Sequence, residues 1–295
     1  MKESRNYWKS NLEDESTRAV LDEYLLSLKL ENKAERTIRN YRWFLERFFR
    51  ECTVPLKLLT SEDVRKYINH FTIKKKEKTV DAYLSALSSF FQFCLAEEHI
   101  ENVIIKKRWR PKIPKSLPKY LTEKEFARVK IAVENLTLRD RALILFLFSS
   151  GCRSNEVSNL SIKDLNLEKR TAEVTGKGKR IRKVHFTEEC AIVLSEYLQT
   201  RSITEKDPLF LNDSGQRIQT NQIYYITRKV GKMSGLQQSL HPHCCRHTFA
   251  TNMLARGATI EVIADELGHV NLNTTRIYAS ILTEDLILSY QNIMG

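Results

Sequence analysis

The sequence predicts a mainly α-helical chain of two domains, a four-helix bundle followed by an α+β domain with one small antiparallel sheet. Three observations predict it. Four apolar stripes at helical spacing occupy roughly the first hundred residues. A basic, proline-rich stretch follows at 105–120. Beyond it, helical patterns are interrupted once, over 162–186, by residues that alternate in polarity. A length of 295 residues with 42% apolar content suits two domains that each bury a core.

Taken in order, residues 1–16 are charged and aperiodic and read as a tail. Val20, Leu21, Tyr24, Leu25 and Leu28 form the first stripe. Ile38, Tyr41, Leu45, Phe48 and Phe49 form the second, with Thr37 as its cap. Val64, Tyr67 and Ile68 mark a shorter third helix, capped at Thr60 or Ser61. Val80, Tyr83, Leu84, Leu87, Phe91, Cys94 and Leu95 form the fourth. The bundle is thus expected over 17–104. The stretch 105–120 holds Pro111, Pro114 and Pro118 among seven Lys and Arg, a spacing that resists helix and reads as an extended linker. The second domain, 121–295, opens with a capping box from Thr122 to Glu125. An apolar helix, Ala142 to Phe148, ends at Gly151. The segments TAEVT and RIRKVHF, joined by the turn GKGK, predict a hairpin. Helical patterns return at 188–200 and 219–233. Pro242 suits the first turn of a helix that Gly257 closes. Shorter helices are predicted at 259–267, 272–281 and 284–293.

The formal net charge is +12, and the surplus is shared between the halves: 24 Lys and Arg against 17 Asp and Glu in residues 1–118, then 24 against 19. An excess in both domains favours a polyanionic partner held by a clamp. On the second helix Arg36, Arg39 and Arg42 are candidate phosphate contacts. So are Lys74, Lys75, Lys76, Lys78 and Thr79 before the fourth, and Lys107, Arg108 and Arg110 in the linker. For any single residue a solvated face is the ordinary reading, but a basic helix beside a Lys-rich loop in one small domain favours a DNA-facing surface. No run of about 18 apolar residues offers a membrane span, and MKESRNYWKS lacks an apolar signal core. The six cysteines outline no disulfide framework and suit a reducing cytoplasm.

The densest chemistry lies in LHPHCCRHTFATNMLARGATIEVIADELGHVNLNTTRIYASI. His243 and Arg246 are three apart on one helix and share a face. His269 follows a glycine at a helix end, and Tyr278 lies nine residues further on. Upstream, Arg153 sits just past a helix terminus, with Glu156 three residues on, and Lys177 occupies a Gly-Lys-Gly turn. Singly, each has a bland reading: a surface ion pair, a hairpin, a core tyrosine. Together they fit attack on a phosphodiester, whose non-bridging oxygens gather charge that guanidinium forks match bidentately. Histidines can donate to the same oxygens. A tyrosine, with an ordinary pKa of about 10, needs neighbouring positive charge to act as a covalent nucleophile.

In this order the residues resemble the tyrosine recombinase (phage integrase) family, in particular its short Xer-like members. Gly151, Arg153 and Glu156 match Gly-x-Arg-x-x-Glu. Lys177 matches the hairpin lysine, and His243, Arg246 and His247 match His-x-x-Arg-His. Leu267, Gly268 and His269, then Thr274, Thr275 and Tyr278, match the last motif. The segment YLSALSSFFQF is similar to the family's N-terminal module, and the resemblance spans about residues 17–282. It implies a core-binding, SAM-like DNA-binding domain at 17–104 and a catalytic domain at 121–295. The catalytic set is then Arg153, Lys177, His243, Arg246, His269 and Tyr278, supported by Glu156 and His247. The activity implied is site-specific DNA recombination through a covalent 3′-phosphotyrosyl intermediate, with Lys177 protonating the leaving 5′-oxygen, and without metal, ATP or other cofactor. The implied partner is a double-stranded recombination site, bound by a monomer that assembles into a homo-tetramer on synapsed DNA, with accessory proteins as further partners. Localisation follows as cytoplasmic and nucleoid-associated. Leu286, Tyr290 and Ile293 form an apolar face behind Thr283, and the resemblance implies that this last helix docks on a neighbouring subunit.

Cys152, Asn155, Cys244 and Cys245 depart from the usual pattern at packing positions, which points to a mobile-element member; a Xer-like or transposon-encoded resolvase is the expectation. Three other readings use the same residues. A zinc site could draw on His241, His243, Cys244, Cys245 and His247, although structural zinc usually takes two separated ligand pairs. A catalytically inactive DNA-binding relative would keep the fold alone. A type IB topoisomerase would share the chemistry and relax supercoils without site dependence.

Overall fold

The computed structural model describes residues 6–73, 75–102, 104–113, 118–202, 204, 206–269 and 274–278, with the backbone alone at 107 and 177. The chain divides into two compact units, Met1–Lys115 and Ser116–Gly295.

The first unit is a bundle of α1 (Glu15–Leu30), α2 (Glu35–Glu51), α3 (Ser61–Thr72) and α4 (Glu77–Ala96). The stripes named above bury together, around Leu21, Tyr24, Leu45, Phe48, Tyr83 and Leu87. Aromatic edges join the helices: Phe48 meets Tyr67 and Phe91 edge-on. The buried hydroxyls are matched, Tyr24 donating to Ser89 at 2.7 Å and Tyr83 to Tyr67 at 2.9 Å. Thr60 caps α3 in a capping box with Asp63.

Three local expectations are corrected here. The N-terminal segment does not behave as a tail from residue 6 onward. Leu12 is only 5% exposed, the Asn11 amide donates to the buried Glu46 at 3.0 Å, and Lys29 lies 3.3 Å over the Trp8 ring. A single buried leucine and a distant carboxylate leave no periodic trace. Thr37 does not cap α2; the N-cap is Ala34, three residues earlier, and it makes no side-chain cap bond. Lys78 and Thr79 lie inside the first turn of α4, not in a loop. Of the segment 105–120, Ile105 and Trp109 pack on the first unit's core, and Arg110 donates to Asp81 and Ser85 at 2.9 Å each.

In the second unit the capping box of Thr122 and Glu125 opens α5 (Glu123–Glu134), and Thr137 caps a separate α6 (Leu138–Ser150). The apolar helix expected to end at Gly151 is α6, which begins at Leu138 rather than Ala142. Next come α7 (Ser154–Asn159) and a three-stranded antiparallel sheet of β1 (Leu165–Asn166), β2 (Thr171–Thr175) and β3 (Ile181–His185). Thr171 pairs with His185 and Thr175 with Ile181. The helices α8 (Glu188–Gln199), α9 (Thr220–Met233), α10 (Pro242–Ala255) and α11 (Ile260–Leu267) follow. The core forms around α6, whose Ala142 to Leu147 are all buried. An α6 buried on all sides is why its sequence reads as apolar without a clear stripe. Residues 274–278 form a helical turn; the helix expected over 284–293 and its docking lie outside the described residues.

Candidate active site

Two helix ends meet on one guanidinium. α6 ends at Gly151, whose φ of +60° is left-handed; a Cβ there would also collide with Phe249 and Leu267. α11 ends at Leu267, followed by Gly268 at φ +63°, with the His269 amide returning to the Ala264 carbonyl at 2.9 Å in a Schellman-type cap. Arg246 of α10, 3% exposed, donates from Nη1 to the Gly151 carbonyl at 2.7 Å and from Nη2 to the Leu267 carbonyl at 2.6 Å. Both carbonyls stand at negative helix ends, where a cation is favoured. Burial, and then the charge of Arg153, pull Arg246 down to about 10, so it stays protonated at neutral pH.

Arg153 precedes α7. Its amide donates to Glu156 Oε2 and its Nη1 to Glu156 Oε1, both at 2.8 Å. Burial alone would raise the Glu156 carboxyl. Hydrogen bonds from Arg182 and from the Arg153 amide, with both arginine charges, hold it below its ordinary value instead. His243 lies exposed at the start of α10; desolvation of its ring, then Arg246 and Arg153, lower its pKa. His269 Nδ1 is 2.8 Å from the hydroxyl of the buried Thr275.

Tyr278 is 2% exposed, packed with Ala250, Ile263 and Leu267. Its hydroxyl is 2.8 Å from His247 Nδ1. Burial raises its pKa, and Arg246 and Arg153 oppose the rise. The structure thus brings Arg153, Glu156, His243, Arg246, His247, His269 and Tyr278 into one unit. Lys177 begins the hairpin turn, with its side chain outside the described residues; the Gly176 amide closes the turn on the Arg180 carbonyl at 2.8 Å.

Burial and neighbouring histidine and arginine charge pull His247 down to about 4. Burial, then Arg246, Arg153 and Arg182, do the same for His269. Both rings are neutral when folded at pH 7, whereas in the unfolded chain they bind protons below about 6.5. Stability from this source is complete above that value and is lost as pH falls toward 4. The melting temperature is expected to drop between pH 6.5 and 4, and less steeply in H247Q/H269Q; equal slopes in the two proteins would contradict the assignment.

Of the candidate DNA contacts, Arg36, Arg39, Lys75, Lys76, Lys78, Thr79, Arg108 and Arg110 are exposed. Arg39 also pairs with Glu35. Arg42 is partly committed elsewhere, donating to the Lys9 carbonyl at 2.8 Å. Lys74 and the side chain of Lys107 lie outside the described residues. The residues of the zinc reading are otherwise engaged: His241 caps α10 by accepting from the Cys244 amide at 3.1 Å, and Cys244 and Cys245 are fully buried. Among the described residues no three His, Cys, Asp or Glu side chains gather as metal ligands.

Sequence reasoning missed Arg182. A signal was present: it shares strand parity with the inward-facing Val184 and Phe186, and an inward arginine demands a buried acceptor.

Residues 119–284 match the phage integrase family, and residues 20–101 match the phage integrase N-terminal SAM-like domain. Tyrosine recombinase XerA of Pyrococcus horikoshii is 35% identical over 273 residues, covering 90% of each chain. Tyrosine recombinase XerC of Thermodesulfovibrio yellowstonii is 34% identical, covering 93% of this chain and 96% of its own. In fold the chain is similar to the XerH site-specific recombinase bound to a palindromic difH substrate, with a TM-score of 0.77 at 22% identity over 97% of this chain and 91% of that one. These matches favour recombination over the topoisomerase and inactive readings. A chain that matches in both its domains, over nearly its whole length, belongs to the phage integrase family and is a tyrosine recombinase.

Proposed function

We propose that Tyr278 attacks the scissile phosphodiester of a double-stranded recombination site. A phosphotyrosyl ester forms at the DNA 3′ end, and the bond to the 5′-oxygen breaks. Arg153 and Arg246 hold the non-bridging oxygens, and His243 and His269 donate to them. Lys177 protonates the departing 5′-oxygen, and a 5′-hydroxyl from the partner duplex later attacks the ester and frees Tyr278. The ester conserves the phosphodiester's bond energy, so rejoining needs no ATP. The observation that carries this reading is the bond between the Tyr278 hydroxyl and His247, one residue from Arg246. It holds the phenol beside the cationic cluster.

The division of roles is testable with the leaving group. A substrate with a 5′-thiol departs without an acid, so K177A is expected to recover cleavage on it, while R153A and R246A gain little. Equal recovery in all three would refute the division. The first unit, over 17–104, acts as the core-binding domain, with phosphate contacts from its exposed basic residues, and 105–120 links it to the catalytic domain, 121–295. The enzyme works as a homo-tetramer on synapsed DNA in the cytoplasm, at the nucleoid, as a resolvase or integrase of a mobile element. Removing residues 283–295 is expected to spare binding to a half-site and to abolish synaptic complexes. Normal recombination by the truncated protein would exclude a role for that segment between subunits.

A further inference from the structure

The cleft beside Arg153 and His269, about 460 Å³ in volume, has Arg182 in its wall. That residue touches the carboxylate that holds Arg153 and the glycines beside His269 and Lys177. Its Nη1 and Nη2 form a fork on Glu156 Oε1 and Oε2 at 2.9 and 3.0 Å, and its Nε donates to the Glu266 carbonyl at 2.9 Å. Its chain lies so close to Gly268 that a Cβ there would come within 2.9 Å of Arg182 Cδ. A Cβ on Gly176 would stand 3.4 Å from Arg182 Nη1. These glycines immediately precede His269 and Lys177, and Glu156 is the carboxylate that binds Arg153. One side chain, 13% exposed against a carboxylate 2% exposed, therefore joins β3, α7 and the end of α11.

The charge balance gives this join a consequence. Glu156 carries one negative charge and is shared by two guanidinium groups. With Arg182 in place the carboxylate is neutralised by a residue other than Arg153. Arg153 then spends only its amide and one nitrogen on Glu156, and its positive charge remains available to an incoming phosphate. Without Arg182, a buried carboxylate would draw the whole Arg153 fork to itself.

We infer that Arg182 is a positioning residue for strand cleavage, which neutralises Glu156 so that Arg153 faces the scissile phosphate with its charge uncompensated. The inference rests on Arg153 being a phosphate ligand. It assigns Arg182 to the non-bridging-oxygen side of the reaction through its fork on Glu156, and the 5′-thiol substrate separates this from an effect on Lys177 through Gly176.

The test compares R182A, R182K and R153A with the parent in single-turnover adduct formation on nicked DNA. One substrate carries a normal scissile phosphate, another a methylphosphonate, which lacks the negative charge, and a third a 5′-thiol leaving group. On the normal phosphate R182A is expected to slow cleavage about 100-fold, the scale of losing one transition-state donor, with DNA affinity nearly unchanged. On the methylphosphonate its defect should shrink at least tenfold, as that of R153A is also expected to, and the 5′-thiol should not relieve it. R182K, which keeps the charge but not the fork, should lie between R182A and the parent; it serves as the readout if R182A does not fold. A defect of equal size on phosphate and methylphosphonate would reduce Arg182 to a structural ion pair and overturn the inference, as would relief by the 5′-thiol. If R153A is relieved while R182A is not, the reading of the site stands and this inference alone fails. If R153A is not relieved, its role as phosphate ligand fails as well.

Discussion

Tyr278→Phe is expected to abolish the covalent protein–DNA adduct, a loss on the order of 10⁴-fold or more, as removal of a nucleophile from a cooperating set does. The hydroxyl is the only atom removed. The ring stays packed against Ala250, Ile263 and Leu267. The lost hydrogen bond to His247 costs about 1 kcal/mol of stability. The variant should therefore melt close to the parent and shift DNA in a gel with unchanged affinity. A nicked substrate that traps the adduct, run on a denaturing gel, reads the outcome directly. Adduct formed at the parent's rate would remove Tyr278 from the role of nucleophile.

Arg246→Ala is expected to damage both catalysis and fold. Its guanidinium is the shared partner of the Gly151 and Leu267 carbonyls, so its removal takes the donor from the Gly151 carbonyl and leaves the Leu267 carbonyl only the long 3.5 Å bond from Arg153. A charged donor bond is worth about 1.5–3 kcal/mol, and a stability loss of about 3 kcal/mol follows. Cleavage should fall on the order of 10³-fold through loss of charge on the phosphate side. Arg246→Lys separates the two effects: a single ammonium restores charge but cannot span both carbonyls with a planar fork. It should recover some stability and little rate. Thermal unfolding and single-turnover cleavage measure the pair. An alanine variant that melts like the parent would mean that the carbonyls are satisfied without Arg246.

The sequence by itself determined the order and type of most of the described elements, because those depend on spacing between near neighbours, though not of α7 or β1. Leu21, Tyr24, Leu25 and Leu28 declare a buried helix face, Thr122 and Glu125 a helix start, Pro242 and Gly257 the ends of another. It also offered the candidates for the reacting residues, because Arg153, Lys177, His243, Arg246, His269 and Tyr278 stand in an order that resembles the family's motifs. Only the tertiary structure decided how they are held. The bond from His247 to Tyr278 spans 31 positions, and that from Arg246 to Gly151 spans 95. Arg182 reaches back 26 positions to Glu156 and forward 84 to Glu266. The docking of Asn11 on Glu46 crosses 35. Local periodicity carries no information about which buried acceptor a distant donor will meet. That pairing follows from the packing of α6, α10, α11 and β3 around one core, where an unpaired charge or carbonyl is too costly to leave.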